Sequence, residues 1–334
     1  RYTDTMVRIA QIGVGYWGPN LLRNLSSNYD STVKAVVDPS KERQEFVKKT
    51  YPGIYVTDEL DSVINDPDID AVVIATPVAS HYDLTIQALN KGKHVLVEKP
   101  MATKTDQVRE ISQLARKKEL VAMVGHTFLF NSAVRYVKSI IESGELGDIR
   151  YIYSQRLNLG RIRDDVDALW NLAPHDISII QYWLNEPEPI KIDKIGMDYV
   201  QKGIDDVTFM NITYPNNIMA HIHVSWLDPH KIRKMTVVGS KKMVVYDDIA
   251  ENKVMIYDKG IDRMAVLGEQ MDFDNPVTFS FNHRSGEVFI PVIDWVEPLK
   301  IEIDHFLKCI QNNIPCITGP EHAEKVVRIL EMAE

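Results

Sequence analysis

The chain has 334 residues, about twice the usual length of one domain, so two domains are the starting expectation. Apolar residues at 45% and charged residues at 25% exclude a disordered chain, and a net charge of −9 excludes a broad basic face for nucleic acid. Two cysteines imply no disulfide framework and fit a reducing compartment.

No apolar run approaches the ~20 residues of a membrane helix, and RYTDTMVRIA carries no apolar leader. The expectation is a cytoplasmic protein with neither a membrane nor a nucleic-acid partner, Met6 being a candidate natural start after Arg1 to Thr5. In chain order, Val7 to Ile12 reads as a strand that runs into Gly13-Val14-Gly15-Tyr16-Trp17-Gly18, with a helix from Pro19 to Leu25. Strands at 33–37, 55–56, 71–75, 94–97 and 121–124 then alternate with helices at 41–50, 60–64, 81–90 and 104–118. That alternation predicts a parallel sheet covered on both faces. After Gly125 the texture changes to strands at 149–157, 190–200, 207–214, 218–225, 235–238 and 243–246, interrupted by helices at 133–143 and 174–184. Terminal helices are expected at 298–312 and 320–333. The fold expected is an α/β Rossmann domain (residues 1–124) plus an α+β domain (residues 125–334) with an open-faced, mainly antiparallel sheet.

GxGxxG alone is a weak signal, but here it follows a strand, opens a helix and has Asp38 twenty positions past Gly18 at the end of the next strand. Gly13 permits the tight turn, Gly15 lets the backbone approach a pyrophosphate, and Gly18 lets helix and strand pack; Tyr16 and Trp17 lie in the same loop. NAD is therefore the expected cofactor. Asp38 should accept from the adenosine ribose and repel a 2′-phosphate, although Lys41 and Arg43 would welcome one, so NADP is the lesser alternative. Thr76 and Pro77, at the end of the fourth strand, should line the cofactor crevice. His81 either reaches the cofactor or only opens its helix.

Glu98-Lys99-Pro100 ends a buried strand. By its chemistry it is either a salt-bridged strand end or a cofactor-side site whose lysine stabilises alkoxide charge. GVGYWG, Asp38, ATPVASH, VEKP and GELGDIRYI together resemble the Gfo/Idh/MocA oxidoreductase family, over essentially the whole chain. The resemblance implies a homodimer or homotetramer through the open sheet, and Lys99 as the active-site lysine. The family's usual Asp-x-x-x-His is here Asn171 to His175, so the triad of inositol dehydrogenases is incomplete. The stretches 159–176 and 224–231 are similar to the branch that oxidises position 3 of UDP-N-acetylglucosamine or its uronate.

On that resemblance His175 is the base, Lys99 orients the hydroxyl, Asn171 holds a sugar hydroxyl, and hydride passes to NAD; the base and orienting roles are exchangeable. Asp176 would serve the first helical turn. Arg161 and Arg163 suit a pyrophosphate or carboxylate, with pairing to Asp164, Asp165 and Asp167 as the bland alternative. His221 and His223 on one strand read as packing, Cys309 and Cys316 as unligated thiols, and no metal is expected. The competing readings are a free-sugar or inositol dehydrogenase and a non-catalytic NAD-sensing regulator.

Overall fold

Strand β1 (Val7–Ile12) is buried along nearly its whole length, as are β4 (Ala71–Ile74) and β5 (His94–Val97), because helices cover both faces of the sheet they share. With β2 (Ser31–Val37), β3 (Tyr55–Thr57) and β6 (Ala122–Val124) they form a six-stranded parallel sheet in the order β3-β2-β1-β4-β5-β6. The order reverses between β1 and β4, and that switch is where such sheets hold ligands, beyond the strands' C-terminal ends. The computed structural model describes residues 6–265 and 279–334; Arg1 to Thr5 lie outside the described residues.

Helices α1 (Gly18–Ser27), α2 (Lys41–Thr50), α3 (Leu60–Ile64), α4 (His81–Asn90) and α5 (Thr105–Lys117) connect these strands. The chain divides into two units, one holding residues up to 131 together with 295–332 and the other residues 132–294. The expected boundary at residue 124 therefore moves to 131. The terminal helices, expected with the second domain, belong to the first unit. The reason is burial: α8 (Pro298–Asn312) packs on α1 and on the short helix Thr127–Phe130, and α9 (Pro320–Met332) packs on α5 and β6. Ile303, Phe306, Val326 and Leu330 are fully buried there, each contributing about 1.5–3 kcal/mol of transfer free energy.

The second unit holds an eight-stranded sheet of β7 (Ile149–Leu157), β8 (Lys191–Met197), β9 (Val207–Tyr214), β10 (Ile218–Ser225), β11 (Ile232–Gly239), β12 (Met243–Asp247), β13 (Val254–Ala265) and β14 (Phe279–Phe289). Its order is β14-β13-β12-β11-β7-β10-β9-β8, antiparallel except where β10 runs parallel to β7. Helices α6 (Ser132–Glu142) and α7 (Ala168–Trp183) belong to this unit, and α7 packs on β7, β9 and β10. Strand residues of alternate parity leave Tyr151, Tyr153, Phe209 and Met219 exposed. Among the described residues no helix is long and apolar enough to cross a membrane.

Candidate active site

The glycine loop is built from below by a residue the motif does not include. Gln11, fully buried at the end of β1, donates from one amide nitrogen to Gly13 O at 3.0 Å and Gly18 O at 2.8 Å. Gly13 has φ +91°, and a Cβ there would stand 2.5 Å from Ala75 O, so only glycine lets β1 and β4 approach this closely. A Cβ at Gly15 would meet nothing nearer than 3.8 Å, which leaves its outer side open for a phosphate. Helix α1 starts with Pro19 in its first turn and no side-chain cap, Asn20 N–H and Leu21 N–H turn back to Trp17 O, and the positive end of the helix dipole faces the loop. These features fit a dinucleotide pyrophosphate.

Asp38 is 1% exposed. One carboxylate oxygen accepts Val14 N–H at 2.8 Å, the other accepts Ser40 N–H at 2.8 Å, and Arg43 Nη1 lies 3.7 Å away. The side chain expected to read the ribose thus also braces the glycine loop, and the Arg43 guanidinium lies over both Asp38 and Gly15.

At the ends of β4 and β5, His81 is 1% exposed; its Nδ1 lies 2.8 Å from Pro100 O and its Nε2 2.8 Å from Thr76 O. Both ring nitrogens face backbone carbonyls, and a neutral ring donates to one of them. His81 therefore sits between the two strand ends, its ring turned onto backbone at the start of its helix. Burial pushes its pKa down, opposed by the two carbonyls. Thr76 shares a 2.7 Å hydroxyl contact with Ser80, and Pro77 is exposed.

Glu98 is pressed against the backbone of Gly125, where a Cβ would stand 2.8 Å from its Oε1. Burial raises its carboxyl to about 7, opposed by Lys99 and by a hydrogen bond from Trp17. Trp17 thereby joins the glycine loop to the end of β5, while Tyr16 is almost wholly exposed. Behind Gly125, Thr127 Oγ1 donates to Glu302 at 3.0 Å; this buried α8 carboxyl is also pushed up, by burial and by Glu98. Sequence reasoning missed Gln11 and Glu302. Their signal is a polar residue at a core-facing position of an apolar pattern.

In the second unit α7 begins at Ala168, six residues before the expected Pro174, because the Asp167 side chain accepts Trp170 N–H at 2.8 Å and caps it. Pro174 lies inside the helix. Asn171 and His175 are then four residues apart on one helical face, His175 half-buried. Asp176 does not serve the first turn. Its carboxylate takes both Nε and Nη2 of Arg156 on β7, at 3.2 and 3.1 Å, in a buried pair. Arg161 is exposed on a stretch fixed by Asn158 N–H to Ser225 O and Gly160 N–H to Trp226 O. Arg163 instead forms a two-bond pair with Asp165 at 2.8 and 2.6 Å, the bland alternative for this residue. His221 meets Asn211 at 2.7 Å and His223 stacks on Phe209 at 4.3 Å, as strand packing requires.

Residues 7–126 match the Gfo/Idh/MocA family model described as an oxidoreductase family with an NAD-binding Rossmann fold, and residues 134–245 match the Gfo/Idh/MocA C-terminal domain. The chain is 32% identical to the oxidoreductase YdgJ of Escherichia coli strain K12 over 51% of either chain. It spans between 51% and 61% of the length of the first curated relatives it matches. A solved structure from Magnetospirillum magnetotacticum MS-1 superposes with TM-score 0.82 at 25% identity, covering 99% of this chain and 100% of that one. The UDP-N-acetylglucosamine 3-dehydrogenase GnnA of Acidithiobacillus ferrooxidans superposes with TM-score 0.79 at 22% identity, covering 97% and 96%.

Proposed function

We propose that this chain, which belongs to the Gfo/Idh/MocA oxidoreductase family, oxidises a secondary hydroxyl, position 3, of a UDP-N-acetylhexosamine or its uronate. NAD, when bound, supplies the hydride acceptor. Lys99, at the end of β5, orients the hydroxyl and offsets alkoxide charge. His175 on α7 takes the hydroxyl proton, since imidazole titrates near neutral pH, and Asn171 one turn earlier holds a sugar hydroxyl through an amide that needs no charge state. The exposed aromatic face of the second sheet, Tyr151, Tyr153 and Phe209, joins copies of the chain into a dimer or tetramer.

The observation that carries the nucleotide-sugar reading is Arg161, exposed on a backbone-anchored stretch shortly before the capped helix that bears Asn171 and His175. In a chain of net charge −9 such a guanidinium suits a diphosphate or carboxylate. A thermal-shift screen with UDP, UDP-N-acetylglucosamine, its uronate and myo-inositol tests it, because a ligand bound to the native state raises Tm. Arg161→Ala should weaken UDP-sugar binding by about tenfold or more, with NAD affinity unchanged, and Arg161→Lys should not restore it. A Tm response to myo-inositol alone sinks the reading and favours free polyols.

Cofactor preference follows from Asp38. Titration should show NAD bound more tightly than NADP, and Asp38→Ala should weaken NAD while relaxing that discrimination. With the carboxylate gone, Arg43 is left over the ribose position and suits a 2′-phosphate. Tighter binding of NADP to the native chain would overturn the assignment.

A further inference from the structure

Three side chains of the first unit have no part in the chemistry above. His305 and Cys309 stand four residues apart on α8, so they share one helical face, and Cys316 lies in the loop between α8 and α9. The cysteine spacing offers no reason to pair them, yet the two sulfurs and a His305 ring nitrogen all lie within 4.8 Å of one another. His305 Nε2 stands 3.5 Å from Cys309 Sγ and accepts Ile317 N–H at 3.0 Å. Phe130 packs against the ring, which fixes it in this orientation.

Two sulfurs and an imidazole suggest either a soft-metal site or a dithiol. The hydrogen bond from Ile317 decides between them. An imidazole nitrogen ligates a metal through the same lone pair with which His305 Nε2 here accepts a backbone N–H, so that bond would have to break before Nε2 could ligate. The two sulfurs are instead engaged with each other, the contact that a disulfide would replace.

We propose that Cys309 and Cys316 are a redox-active pair that closes to an intrachain disulfide when the protein meets hydrogen peroxide. Hydrogen bonding from the Cys316 thiol, against the opposing effect of burial, lowers Cys309 to about 5, and the same bond pushes Cys316 up. Cys309 is therefore the thiolate and the attacking sulfur. Its burial selects a small oxidant over a bulky disulfide. The thiolate attacks one peroxide oxygen: the S–O bond forms, the O–O bond breaks, and the departing hydroxide takes up a proton as water. The Cys316 sulfur then attacks the sulfenic sulfur, the S–S bond forms, the S–O bond breaks, and the hydroxyl leaves as a second water with the Cys316 proton. Two thiols lose two electrons and two protons, and one peroxide becomes two waters.

The bond would tie the end of α8 to the loop whose Thr318 O accepts Val124 N–H at the end of β6. Gly125, next along the chain, is the residue against which Glu98 is pressed.

The test uses the full reduced chain, treated with a small molar excess of hydrogen peroxide, denatured and analysed by thiol titration and mass spectrometry. Both thiols should disappear, the mass should fall by about 2 Da, and a 309–316 peptide cross-link should open with dithiothreitol. In Cys316→Ser the same treatment should leave Cys309 as a sulfenic acid that dimedone captures. Thiols that survive, oxygen added without a cross-link, or a cross-link between two chains each overturn the proposal. So does a Cys309 that gives no dimedone adduct in the variant. Incubation with zinc chloride alone supplies the other arm: one tightly held zinc per chain that protects both thiols would assign the three side chains to a metal instead.

Discussion

Lys99→Met should lower turnover by roughly 10²-fold or more on a UDP-sugar that raises Tm, with NAD affinity little changed. A loss of that size is about 2.7 kcal/mol of transition-state stabilisation, within the range of one charge-assisted hydrogen bond to a developing alkoxide. Lys99 stands on a fixed strand end. Val95, Leu96 and Val97 are buried, Pro100 is buried behind it, and His81 holds Pro100 O to the end of β4. Glu98, its neighbour in sequence, carries a carboxyl that titrates at about 7, so the charge beside Lys99 changes across the neutral range. Ionised above that value, Glu98 attracts the Lys99 charge; protonated below it, that attraction is lost, and turnover should fall on the acid side. Lys99→Arg should not rescue the variant, because a planar fork does not place a point charge where an ammonium does. Steady-state kinetics decide it: near-native kcat in Lys99→Met removes the lysine from the chemistry. The same measurement on His175→Ala tests the base independently.

What the sequence disclosed depended on how local the determining contact is. The glycine loop and Asp38 were legible because strand, loop, helix and the next strand's end follow within about thirty residues, and Val14 N–H to Asp38 is a contact of that range. The alternation of short apolar strands with helices was likewise enough for the parallel sheet. The start of α7 was missed because Pro174 reads as a first-turn proline, whereas the Asp167 cap starts the helix earlier and the proline is carried inside it. Assigning α8 and α9 to the second domain followed chain continuity. Their buried faces, with Phe306 and Leu330, pack against elements from about 175 to about 280 residues earlier in the chain. Thr127 to Glu302, Asn28 to Asp304 and the Cys309–Cys316 meeting across a loop belong to the same class, set by tertiary packing that no motif spacing encodes.

Arg156→Ala should destabilise the protein by about 3–5 kcal/mol, the largest stability effect expected of any polar substitution here. Arg156 and Asp176 side chains are 7% and 2% exposed, and the guanidinium reaches the carboxylate through two N–H groups. Burial works against the Arg156 charge and Asp176 overcomes it, holding the guanidinium above its usual range; its neighbour Arg233 is pushed down by burial. Removing the arginine leaves a carboxylate in the core with its main cation gone, and that desolvated charge sets the size of the loss. Because the pair is dry, added salt should barely alter the difference between native and variant, unlike a surface pair such as Arg163 with Asp165. Arg156→Met combined with Asp176→Leu should recover most of the loss, since two apolar side chains of similar length leave no charge behind. Asp176 directly follows His175 on α7, so the pair also sets the helix's rotation against β7. The double variant should therefore regain stability sooner than turnover. Chemical denaturation of the three chains measures this. A single variant within about 0.5 kcal/mol of native would mean that the pair contributes no more than an exposed one.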